Sequence, residues 1–276
     1  MIYDCFAFFN EFELLEIRLN ELNDVVDQFV LVEATRSFQK KEKPLYFAEN
    51  KKRFEKFLPK ITHIVVDQYP NFFTHWRIPK TWDYDDHQKD QLARGLKNCK
   101  PDDVIIISDL DEIPRKEKIQ QYKHVPGVKI FRQKLFYYFL NCFVTDYDEP
   151  LTLSPDGSYK PWHGSLMMDY KDFTTVKDAR LWKNQKRSDF VYIEDGGWHY
   201  SSLGGVERVI EKIESYAHKE FNTSEFKDVK RVEELMRSGK DLFDRKMKSK
   251  FVPVEQDLPH YLQSHLAQYK HLYLDV

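Results

Sequence analysis

The run Val104-Ile105-Ile106-Ile107-Ser108 leads straight into Asp109-Leu110-Asp111-Glu112 and is closed by Ile113-Pro114. An unbroken aliphatic run of this kind predicts a strand buried on both faces, the habit of parallel sheets. Its three carboxylates then leave the sheet together at its carboxyl end, where open α/β sheets place their ligands. Burying clustered negative charge is costly unless a cation pairs it. The arrangement therefore predicts a divalent metal, Mg²⁺ or Mn²⁺, whose natural guest is a phosphate.

The rest of the chain is that of an ordinary folded protein. At 276 residues it can bury a sizeable core, and 43 basic residues against 45 acidic ones leave no global field to draw in nucleic acid or an anionic membrane. Cys5, Cys99 and Cys142 are far apart and odd in number, which predicts reduced thiols used in packing rather than a disulfide frame or a cysteine zinc site. No stretch reaches the roughly 18 apolar residues of a membrane span, and the N-terminus lacks a basic leader, which predicts a cytoplasmic protein.

Asn10 and Glu13 have capping-box spacing, and Leu14, Leu15, Leu19 and Leu22 follow at helical intervals, so a first amphipathic helix is expected before the first clear strand, 29–32. A basic loop from Arg36 to Lys43, a helix near 50–57 and a strand over 61–66 come next. The Pro- and Trp-rich stretch from Tyr69 to Tyr84 reads as a long surface loop. Asp85 or Asp86 then caps a helix running to about Asn98. Strand, helix, strand, helix, strand predicts an α/β fold with a mostly parallel sheet and right-handed crossovers. Beyond Pro114 a short helix, strands over 128–131 and 135–140, an irregular stretch over 145–164 and a late strand over 190–193 are expected. From Gly205 onward the pattern is helical. Residues 1–204 thus form a core, with 205–276 a helical extension packed on it.

Asp109 and Asp111 are the leading metal ligands, although Asp is also favoured in caps and turns. His199 sits in Gly196-Gly197-Trp198-His199-Tyr200-Ser201, where glycines permit close approach to a ligand and an imidazole can complete a site begun by carboxylates. Glu33 and Thr35 end a strand on the same sheet edge, near where a nucleotide would lie. Lys89 and Arg94, on the helix entering the acidic strand, are candidates to answer a diphosphate.

Taken together, these stretches resemble glycosyltransferase family 17. The resemblance is carried by Ile2-Tyr3-Asp4-Cys5-Phe6 with Asn10-Glu11, by the segment from Leu14 to Leu22, by Val32-Glu33-Ala34-Thr35 and Lys43-Pro44-Leu45. It continues through the segment from Ile107 to Pro114 and Gly197-Trp198-His199-Tyr200-Ser201. It implies a GT-A, Rossmann-like fold and a UDP-linked sugar donor, with N-acetylglucosamine or a similar sugar transferred to a glycan or polysaccharide hydroxyl with inversion. It also implies Mn²⁺ or Mg²⁺ held by Asp109, Asp111 and His199, with Asp109 nearer the ribose. Trp162, in a segment similar to one near the sugar in that family, and Trp198 are candidates to stack on a pyranose. An inverting displacement needs a base, for which Asp195, Glu194 and Asp146 are candidates. Known animal members carry a membrane anchor and this chain is shorter, which leaves the acceptor open. Two other readings remain: a phosphohydrolase of the haloacid dehalogenase type with Asp109 as nucleophile, and a carbohydrate-binding module without activity.

Overall fold

The structure is a computed structural model that describes residues 1–69, 81–183, 185, 187–215 and 218–276. Its first half alternates strands and helices: β1 (Ile2–Ala7), α1 (Phe12–Leu22), β2 (Gln28–Ala34), α2 (Tyr46–Glu49), β3 (Ile61–Val66), α3 (Thr81–Asp90) and β4 (Val104–Ile107). The second half holds β5 (Glu112–Pro114), α4 (Lys116–Tyr122), β6 (Lys129–Tyr137), β7 (Cys142–Tyr147), β8 (Trp162–Asp169), α5 (Val176–Trp182), β9 (Val191–Ile193) and β10 (Gly197–Ser201). After these come α6 (Val206–Ser215), α7 (Val229–Ser238), β11 (Met247–Phe251) and α8 (His260–His265). Among the described residues eleven strands form one sheet whose main path is β11-β7-β6-β8-β4-β1-β2-β3.

The α/β class expected from the sequence is the class observed, a large central sheet flanked by helices. Strands β3, β2, β1 and β4 pair in parallel, and β8 then joins β4 antiparallel. Further out, β6 pairs antiparallel with β7 and β8 but parallel with β9 and β10. Because strand side chains alternate, Ile2 and Phe6 of β1 join one apolar layer, with α1, while Tyr3 and Cys5 join the other. Val104 and Ile106 divide from Ile105 and Ile107 in the same way. The acidic segment therefore leaves a strand covered on both sides.

Several expectations need correction. β1 precedes the first helix and lies in the middle of the sheet, between β2 and β4. The capping box does not form: Glu11 occupies the cap position of α1 without a side-chain cap bond, and the Asn10 amide donates to Glu211 at 2.5 Å. α3 begins at Thr81, ahead of the expected cap at Asp85 or Asp86, and the remainder of the Tyr69–Tyr84 loop falls on 70–80, outside the described residues. The two strands expected over 128–140 are one, β6, and the irregular stretch over 145–164 contains the end of β7 and the start of β8. The region 205–276 is helical as expected but also supplies β11 to the sheet edge, against β7. Leu258, Leu262 and Leu272 share an apolar cluster with Leu15 and Leu19 of α1. No helix among the described residues is long and apolar enough to cross a membrane.

Candidate active site

The turn that follows β4 is built on a buried cation. Arg18 has no solvent exposure; its Nε and Nη2 grip both oxygens of Asp4, at 2.8 and 2.6 Å. Nη1 donates to the carbonyls of Asp109, Leu110 and Glu112 at 3.1, 3.1 and 2.8 Å, and Nη2 donates to Ser108 Oγ at 2.5 Å. A guanidinium can serve this many acceptors because its donors form a fixed planar fork. On the far side the amide of Tyr200 donates to the carbonyl of Asp111 at 2.9 Å, tying the turn to β10.

The three carboxylates do not stay together. Glu112, 1% exposed, turns inward: it accepts from Lys183 Nζ at 2.6 Å, the indole of Trp162 at 2.8 Å and the amide of Asp109 at 3.0 Å. Asp109 and Asp111 face a cavity of about 710 Å³, together with Lys89, Trp162, His199 and Lys212. Asp109 is bound by Lys89 at 2.8 Å, with Arg180 at 3.8 Å. Burial would raise its carboxyl, but Lys89, Arg180 and Lys183 outweigh burial and hold it well below the usual range. Asp111 lies 3.5 Å from His199 Nε2 and 3.6 Å from Lys212 Nζ. Against its own burial, His199 and Lys212 keep this carboxyl low and ionised.

His199 is 8% exposed, its ring 4.7 Å from that of Trp162, and its Nδ1 is buried with no hydrogen-bond partner. It is Nε2 that faces the ionised Asp111 carboxylate, and an imidazole nitrogen set against a carboxylate oxygen is a donor pair that suits a cation. The Oδ2 to Nε2 spacing can be shared by two ligands each about 2.1 Å from one ion. Among the described residues, however, no three His, Cys, Asp or Glu side chains converge on one point. The expected trio is therefore not assembled: Asp111 and His199 come together, while Asp109 is drawn to Lys89.

The other sequence candidates separate. Lys89 and Trp162 line the cavity. Trp198 has no exposure; its indole donates to the carbonyl of Asp257 at 3.2 Å and the Arg115 guanidinium lies 4.2 Å from its ring, so it cannot stack on a sugar. Glu33 is buried and accepts from the amides of Phe47 and Ala48, both at 3.0 Å, and pairs with His63 at 2.7 Å, so its carboxylate serves the start of α2. Thr35 bonds the carbonyl of Val66 and Arg94 the carbonyl of Val65, and neither lines the cavity. Glu194 is paired with Arg132, Asp195 with Arg115 at 3.0 Å and Asp146 with Lys160 at 3.0 Å; none of the three lines the cavity. Gly196 and Gly197 make room for the backbone of β6 and β5 rather than for a ligand: a Cβ on Gly197 would stand 2.2 Å from the Ile113 carbonyl.

Sequence reasoning missed Arg18, Lys212 and the loop after β7. An arginine on the apolar face of a leucine-rich helix and an aspartate inside an apolar run were signals, since each demands a buried partner. Lys212 had no such signal, because α6 is remote in sequence.

The chain is thus an α/β protein whose acidic turn opens onto a cavity lined by both charged and aromatic side chains. The profile of glycosyltransferase family 17 matches residues 1–273, and the chain belongs to that family. It is 34% identical over 124 residues to the human and to the rat β-1,4-mannosyl-glycoprotein 4-β-N-acetylglucosaminyltransferase, a match covering 43% of this chain and 22% of each relative. The matched stretch thus spans about a fifth of those relatives' length. A crystal structure of HddC from Yersinia pseudotuberculosis is similar to 72% of the chain and 90% of its own, with a TM-score of 0.40 and 10% identity. Family membership sets aside the phosphohydrolase reading.

Proposed function

We propose that the chain is a divalent-metal-dependent, inverting glycosyltransferase that moves N-acetylglucosamine or a similar sugar from a UDP-linked donor to a glycan or polysaccharide hydroxyl. The observation that carries this reading is the pairing of Asp111 Oδ2 with His199 Nε2, in a cavity that also holds Arg36, Lys43 and Lys212. Asp111 and His199 would hold the ion, and an imidazole nitrogen favours Mn²⁺ over the strictly oxygen-seeking Mg²⁺. When bound, such an ion neutralises charge that builds on a departing diphosphate. The chain's own cations act in the same direction: Lys212 beside Asp111, and Arg36 and Lys43 from the loop after β2, supply fixed positive charge for the phosphates. Phe8 and Phe9, at the end of β1, offer an apolar edge for a base. The names of the matched relatives support N-acetylglucosamine as the first sugar to try.

UDP release from UDP-N-acetylglucosamine in Mn²⁺, measured with and without EDTA, tests the reading. Release abolished by EDTA and by Asp111→Ala is expected. A thermal-shift series with UDP, GDP and CDP assigns the base, since a ligand bound only by the native state raises the melting temperature. Glycan binding with no release under any condition would leave a binding module instead.

A further inference from the structure

We infer that Glu149 is the base that takes the proton of the acceptor hydroxyl; this rests on the sugar-transfer reading above. Most carboxylates of the cavity are already spent. Glu11 accepts from the amides of Phe9 and Asn10 at 3.3 and 3.1 Å, and Asp241 is held by Arg245 at 2.7 Å and by the Phe243 amide at 2.8 Å. Asp109 and Asp111 belong to the ion pairs of the acidic turn, and Asp244 pairs with Arg231 at 3.4 Å. Asp148 and Glu149 line the same cavity, and neither side chain makes a hydrogen bond or ion pair with another described residue.

Two aromatic rings link the metal pair to the strand that leads into these residues. The ring of His199 lies 4.7 Å from that of Trp162, which lies 6.0 Å from that of Tyr147. Trp162 and Tyr147 thus form an aromatic floor from the Asp111–His199 end to the loop after β7, a surface suited to pyranose faces. The Glu149 amide donates to the Tyr147 carbonyl at 2.8 Å, folding the chain back, and burial together with the Glu149 charge pushes the Tyr147 phenol up. Of the two, Glu149 is assigned as the base because its own backbone bonds Tyr147 of the floor and its charge acts on that phenol. Both residues are exposed, as an acceptor side must be before a glycan docks.

In the reaction the acceptor oxygen forms its bond to the anomeric carbon as the bond from that carbon to the diphosphate oxygen breaks. The bonding pair leaves on the diphosphate, and the acceptor proton passes to Glu149 and then to solvent. Inversion requires that this attack come from the face opposite the diphosphate, so the base must stand on the acceptor side of the sugar.

The test compares Glu149→Ala and Asp148→Ala for UDP release from UDP-N-acetylglucosamine with Mn²⁺, water being the acceptor, with sodium azide added as a second nucleophile. Glu149→Ala is expected to slow release at least about 100-fold, to leave UDP binding by calorimetry unchanged, and to regain turnover in azide, which has no proton to give up. A loss that azide does not restore, an unaffected rate, or the same loss in Asp148→Ala overturns the assignment. Wild-type protein that binds no UDP and releases none overturns the transfer reading itself, before any variant is examined.

Discussion

Arg18 donates to the backbone carbonyl of Asp109 from beneath while both oxygens of Asp4 grip its opposite edge, so a helix, a central strand and the acidic turn meet in one buried ion pair. Removing one partner of such a pair leaves an uncompensated charge, at a cost of about 3–5 kcal/mol. Arg18→Ala is expected to lower the urea midpoint accordingly. Replacing both by leucine, Arg18→Leu with Asp4→Leu, removes both charges and should recover only the part of that stability owed to the unpaired charge. The three turn carbonyls remain without a donor in that double variant, so its thermal shift with UDP and Mn²⁺ should stay lost. Recovery of ligand response along with stability would show that the pair only holds the fold.

The two tryptophans that the sequence offered for sugar stacking should respond differently. Trp198→Ala empties a fully buried site and is expected to cost about 3–5 kcal/mol in denaturant unfolding. Trp162→Ala leaves one oxygen of the buried Glu112 without its indole donor, a loss of about 1–3 kcal/mol. Calorimetry should then find UDP affinity unchanged and affinity for UDP-N-acetylglucosamine reduced. Equal loss for both ligands would place Trp162 in the nucleotide end of the cavity instead.

How much of this was legible in the sequence depends on whether the deciding partner is near or far along the chain. The strand before Asp109 and the parallel strands over 29–32 and 61–66 follow from local pattern, whereas the meeting of Asp111 with His199 was implied by the resemblance to family 17 and not by spacing. β1 was hidden because Asp4 interrupts its apolar run, and only the fold reveals that Arg18 pays for that charge. Glu112 read as a third metal carboxylate because spacing cannot say which way a side chain turns; Lys183 and Trp162, more than 40 residues on, decide it. The glycines before Trp198 were legible as a close approach, but not as an approach to β5 rather than to a ligand. For Glu194 and Asp195, position beside His199 in sequence suggested position beside it in the site, whereas Arg132 and Arg115 hold them elsewhere.

Gly197 gives that close approach a consequence. Its φ is +131°, and an added Cβ would meet the Ile113 carbonyl at 2.2 Å and the Arg115 nitrogen at 2.8 Å, both backbone atoms that cannot rotate away. Gly197→Ala is therefore expected to part β10 from β5, at or above the roughly 1–3 kcal/mol of ordinary overpacking. His199 stands two residues further along the same strand, opposite Glu112. Response to Mn²⁺ in a thermal-shift assay should fall together with the melting temperature. A variant with a normal melting temperature and a normal Mn²⁺ response would contradict the tight packing of β10 on β5.

Asp257 sets the pH dependence of the C-terminal region. Its carboxylate pairs with Arg115 at 2.6 Å and Lys134 at 2.5 Å, and its carbonyl receives the Trp198 indole, so it fastens the segment before α8 to β6 and β10. Burial pushes this carboxyl up, but the bonds from Lys134 and Arg115 outweigh burial and hold it below the usual range. The unfolded chain, with an aspartate near about 3.9, therefore takes up the proton first as pH falls. Stability from this group is fully present above that value and is lost as pH drops through the lower value of the folded state. Urea midpoints measured downward from pH 7 should fall below about pH 4 in the wild type. In Asp257→Asn the midpoint should be lower at pH 7 and the acid-dependent fall shallower. A variant whose acid limb runs parallel to the wild type would show that other carboxylates carry the whole effect.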